Sequence, residues 1–225
     1  MFYYLNEFLA ALTAIIQNAI LLFSLLFIYS ITNIRLNTKN ILRQIIVGIM
    51  ISAFAILIML FPWWLDEGIF IDTRTVLMSL TGVFFGWIPT IIVAVVSITY
   101  RVLTGGIGTL TGISTIILAS LLGLLWRKWR KKYQFSRPFV EFYLFGVVIH
   151  LVCLIPFFIF PNPTYIFNTA VVPFLGVFPI LTAILALALT LQIRRFETIE
   201  TIHQQQILLQ ASIDSPKAIE IYALR

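Results

Sequence analysis

Apolar residues run along this chain in long blocks separated by short polar connections. The blocks are Leu5–Ile31, Ile45–Leu65, Thr75–Trp87, Ile88–Thr99, Leu110–Trp126, Phe139–Phe160 and Asn168–Ile193. A spanning helix needs about 20 apolar residues, whereas a barrel strand needs about 10 in alternation, so the pattern predicts helices. Two of the blocks, Thr75–Trp87 and Ile88–Thr99, are short and meet at Gly86-Trp87-Ile88-Pro89. After Arg195 the pattern changes: Phe196, Ile199, Ile202, Gln206, Leu209 and Ile213 recur at spacings of three and four, predicting a short parallel coiled coil over 196–213. Ser215-Pro216 breaks that helix, and Ala218–Leu224 alternates as a strand would. A lone strand is not stable, so the segment 214–225 reads as the opening of a further domain or as a strand pairing with another chain.

Composition agrees with the blocks. The 225 residues are 60% hydrophobic and 11% charged, with a mean hydropathy of +1.02, more apolar surface than one soluble core covers. The fold class is therefore an all-α polytopic membrane protein. The first block lacks a basic region before it and is too long for a signal peptide, so it is read as a retained span. The single cysteine, Cys153, excludes an internal disulfide.

Charge decides the path. Arg35, Lys39 and Arg43 follow the first span, Asp66 and Glu67 follow Pro62-Trp63-Trp64, and six basic residues lie within Arg127–Arg137. Under the positive-inside rule the first and third of these clusters are cytoplasmic and the acidic one is outside. The third lies inside only if Thr75–Thr99 doubles back at Gly86–Pro89. Each arm then has about 12 to 14 residues, roughly 20 Å of helix, short of a hydrocarbon core about 30 Å thick; the pair is either re-entrant or shielded by its neighbours. With the arms counted separately the chain has seven helices, the N-terminus outside and the C-terminus in the cytoplasm.

The doubling-back sets the candidate site. It brings Asp72 and Arg74 at its entrance next to Tyr100 and Arg101 at its exit, beside the Gly105-Gly106 turn. Arginine forks match carboxylates and phosphates, and glycines let backbone N–H groups approach a ligand, so these six residues form a candidate site for a small anionic or zwitterionic molecule. The plainer reading is a structural pair closing the hairpin mouth. Gly105-Gly106-Ile107-Gly108 lacks the Lys-Ser/Thr of a phosphate loop. The basic run is an orientation signal lying on anionic lipid and not a nucleic-acid patch. His150 and Cys153 lack the carboxylates of a metal site, and His150 is read as a hydrogen-bonded core histidine. With no nucleophile and base paired and no nucleotide or metal motif, no catalytic residue, metal or cofactor is expected, and this portion is not expected to be an enzyme.

The series LFPWWLDEGIFIDTR, LTGVFFGWIP, YRVLTGGIGTLTGI and the basic run after LLGLLWRK resembles the five-transmembrane receptor domain of LytS/YhcK type. That domain precedes histidine kinase or diguanylate cyclase modules in bacterial signalling proteins. The resemblance covers about 41–195 and leaves 1–40 as an additional helix and loop; LLQASIDSPKAIEIYAL looks like the beginning of a PAS domain. It implies a sensor in the bacterial inner membrane whose Asp72, Arg74, Tyr100, Arg101, Gly105 and Gly106 shape the sensing site, and whose output module follows the last helix; the coiled coil at 196–213 adds the expectation of a homodimer through that cytoplasmic helix. The organisation is also similar to the substrate-binding S components of ECF vitamin transporters, which gives the alternative of a transporter subunit.

Overall fold

The computed structural model describes residues 2–32, 40–66, 68–132, 137–159 and 169–213. The described helices are α1 (Phe2–Thr32), α2 (Ile41–Leu60), α3 (Arg74–Phe85), α4 (Trp87–Thr104), α5 (Thr109–Arg130), α6 (Pro138–Leu154) and α7 (Phe178–Ile213). A 3-10 segment, Ile155–Ile159, extends α6, and a π-helical segment, Val172–Val177, leads into α7. Six helical stretches are long and apolar enough to cross a membrane; α3 is the shorter apolar one. The all-α polytopic class holds, and the chain is a multi-pass membrane protein.

The short helix is the centre of the fold. All 12 residues of α3 are buried, and α5, α4, α2 and α6 surround it. A helix of that length spans about 18 Å, so it has to be hidden among longer neighbours that satisfy its ends. Its closest neighbour is α5. A side chain at Gly82 would lie 2.8 Å from the Leu124 backbone nitrogen, and one at Gly123 would collide with the Ser79 carbonyl. Small residues therefore set this crossing, as they do where apolar solvent supplies no hydrophobic drive between helices.

Gly86 is the single residue between α3 and α4, and its φ of 90° is a conformation that side chains disfavour. The chain does double back there. The second arm corrects the expected length: α4 has 18 residues, about 27 Å, and is long enough to span. The sequence pattern ends this helix too early because Tyr100-Arg101 looks like a polar stop, whereas Arg101 is only 1% exposed and the helix continues for another turn.

A second departure lies before α3. The tryptophan cluster and its acidic neighbour form an antiparallel hairpin, β1 (Trp63–Asp66) with β2 (Ile69–Ile71), pairing Trp63 with Ile71 and Trp64 with Phe70. Sequence pattern alone suggests only an interfacial turn at this point. Pro161-Asn162-Pro163 and the strand at 218–224 lie outside the described residues. The chain divides into two compact units, Met1–Leu189 and Thr190–Arg225. Residues 190–213 of the second are helical, with Ile199, Ile202 and Leu209 exposed.

Candidate functional site

The candidate site forms where β2 passes into α3. Asp72 lies one residue before the N-cap position, Thr73, and accepts the Arg74 backbone N–H on Oδ1 at 3.0 Å. The same oxygen lies 3.5 Å from Arg74 Nε. Thr73 supplies no capping bond, so the Asp72 carboxylate takes that role at the positive end of α3. Burial pushes the Asp72 carboxyl above the usual carboxylate range; the Arg74 charge, the Arg74 N–H and the Arg101 charge pull the other way.

Arg101 arrives from the end of α4. It donates to the carbonyls of Gly105, at 2.8 Å, and Gly68, at 2.9 Å. Its guanidinium lies 4.3 Å from the centre of the Phe70 ring, and that of Arg74 lies 5.3 Å from the same ring, so both cations lean on one aromatic ring. Gly68 O also accepts the Gly108 N–H at 3.1 Å. A side chain at Gly106 would collide with the Gly68 backbone, 2.6 Å from its Cα, which is why this turn has to be bare.

The structure thus gathers Asp72, Arg74, Arg101, Gly105 and Gly106 at one mouth, and it divides their roles. Arg101 is spent on two carbonyls and latches the β-hairpin to the diglycine loop. Arg74 is the guanidinium left facing the interior: its Nη1 is buried without a hydrogen-bond partner, as are Asp72 Oδ2, Thr73 Oγ1 and Arg101 Nε. Tyr100 does not join them. It is half-exposed, and adjacent helix positions point about 100° apart, so an inward Arg101 turns Tyr100 aside.

A cavity opens on this cluster, lined by Asp72, Arg74, Thr75, Thr111, Thr115, Phe157 and Phe174 among others. Its free space is about 20 Å³, enough for about one water molecule. An organic anion enters only if a wall moves. One side is helix α3 against α5, clamped at the glycine crossing; the other carries Phe157 and Phe174, from the 3-10 and π segments.

His150 is the residue that sequence reasoning left out of the site. Its Nδ1 lies 2.6 Å from Gly146 O, and its Nε2 lies 3.2 Å from Thr75 Oγ1. With Nδ1–H donating to the carbonyl, Nε2 accepts from the threonine hydroxyl. The ring packs edge-on to Phe174 and Phe178, with centroids 5.7 and 5.4 Å away. It is a hydrogen-bonded core histidine, as its apolar sequence context suggests, and it also joins the cavity wall at Thr75 to the start of α7. The sequence separation of 75 between Thr75 and His150 hides that pairing from any local pattern. Among the described residues no group of three metal-ligating side chains occurs.

A family model described as the 5TMR of 5TMR-LYT, a five-transmembrane receptor domain, matches residues 26–193. No curated protein and no solved structure matches the chain.

Proposed function

The chain belongs to the 5TMR-LYT receptor family, and from that premise we propose that it is the sensory input module of a bacterial signalling protein. Its signal is a small anionic or zwitterionic molecule taken up beside Asp72 and Arg74, and its output is movement of α7. The observation that carries this reading is that Phe174, at the approach to α7, walls the same cavity as Asp72 and Arg74. Arg74 offers an unpaired N–H to an anion, and the ligand makes room by displacing the phenylalanine side of the cavity. Because π-helical turns carry an extra residue per turn, resetting Val172–Val177 to α geometry would rotate α7 about its axis.

The helical segment 190–213 leaves Ile199 and Ile202 exposed, which supports reading their three-and-four spacing as a coiled-coil seam for a second copy of this chain and for a dimeric cytoplasmic kinase or cyclase. Replacing Arg74 by Ala tests the receiving end. The variant is expected to remain folded and membrane-inserted but to lose its response and its binding of small carboxylates or phosphates; a full response would overturn the assignment. Uptake of a labelled anion by cells carrying residues 1–195 alone would instead favour a transporter subunit.

A further inference from the structure

At the opposite end of α3 from the candidate site, an open groove of about 280 Å³ lies between α5 and α6. Its walls are apolar: Leu125, Trp126 and Trp129 from α5, and Phe145 and Val148 from α6. Its floor is fixed. The Trp126 ring lies 4.7 Å from both Trp129 and Phe145, and its indole N–H donates to Glu141 Oε1 at 3.4 Å. The same carboxylate oxygen receives Arg130 Nε at 2.7 Å. That pair cancels the Glu141 charge, so the end of the groove is positive.

The cations come from the facing ends of the two helices. Lys128 lies on α5 three residues after Leu125, one turn beyond the groove wall, and Lys132 lies in the turn that follows the end of α5 at Arg130. Arg137 is the N-cap of α6, two turns before Phe145 at the same end of the helix pair as Lys128. Lys128, Lys132 and Arg137 are all exposed. The arrangement is an apolar channel ending in three cations, which matches an amphiphile with one anionic end. A soluble protein partner does not fit a surface of this kind between membrane-crossing helices.

We propose that this groove is a specific site for an anionic phospholipid, with an acyl chain along Trp126 and Trp129 and the headgroup phosphate among Lys128, Lys132 and Arg137. The occupant differs from bulk lipid in being selected by its charge. Since α5 lies against α3, occupancy braces the helix pair that forms the rigid wall of the sensing cavity.

The test uses the full chain in lipid nanodiscs, with quenching of tryptophan fluorescence by bromine-labelled acyl chains. The signal assigned to the groove is the part lost in Trp129→Phe. Brominated phosphatidylglycerol at low mole fraction is expected to quench it about tenfold more effectively than brominated phosphatidylcholine. Exchanging Lys128, Lys132 and Arg137 together for Gln should remove the preference while both lipids still quench. In Val148→Trp, which fills the groove and leaves the cations in place, native mass spectrometry should show loss of the retained anionic lipid. Equal quenching by the two lipids in the unmodified chain, or anionic lipid retained in Val148→Trp, would overturn the proposal.

Discussion

At the scale of single residues, the cluster separates a latch, Arg101, from the proposed receptor group, Arg74, and substitutions should separate them too. Arg101→Ala removes both donors from the Gly68 and Gly105 carbonyls, so it should destabilise the chain by about 2–4 kcal/mol, seen as a lower detergent-melting temperature. Arg101→Lys should rescue only partly, since an ammonium lacks the planar fork. Asp72 adds a pH dependence. Its folded value lies above the usual carboxylate range, so its contribution to stability is complete at low pH and is lost as pH rises through that raised value. Protonation also removes a negative charge facing an incoming anion. Anion affinity should therefore increase as pH falls through the same window, and calorimetric titration of Asp72→Asn should give tighter, nearly pH-independent binding.

At the scale of elements, the sequence made legible what charge and length control. The parity of basic clusters forces the chain to reverse at Gly86, and it does. Helix ends were less visible, because Arg101 reads as a membrane-surface charge until its two carbonyl partners, from segments far apart in sequence or across a glycine turn, are seen. The hairpin β1–β2 was hidden for a related reason: a Trp-Trp pair fits both an interface and a strand, and only Phe70 under two guanidiniums shows what the strand is for. The reversal itself makes a sharp prediction. Gly86→Ala combines a disfavoured φ with a methyl 2.8 Å from the Arg127 guanidinium, and should cost about 1–3 kcal/mol. Gly123→Leu, which drives a side chain into α3, should yield no folded protein by size-exclusion chromatography. For the tail, cysteine at Ile202 should cross-link between copies in native membranes, while cysteine at a position off the seam, such as Gln204, should not.

At the scale of the whole molecule, the question is how an event beside Asp72 reaches α7. Two routes leave the cavity. One is direct, through Phe174 on its wall; the other runs from Thr75 to His150 and on to Phe174 and Phe178. Both converge on the same aromatic group, so a ligand that shifts Phe174 also shifts the surface on which His150 rests. Phe174→Ala should therefore behave unlike Arg74→Ala. By enlarging a small cavity it admits the anion without moving a wall, so binding is kept or tightened while the response is lost, at a stability cost of about 3–5 kcal/mol. Thr75→Val breaks the hydrogen bond to His150 but leaves both phenylalanines in place, and should weaken the response without abolishing it. Binding and signalling measured side by side on these two variants decide the matter. If Phe174→Ala still responds fully, the cavity and the last helix are not coupled through that ring, and the receptor reading loses its transmission step.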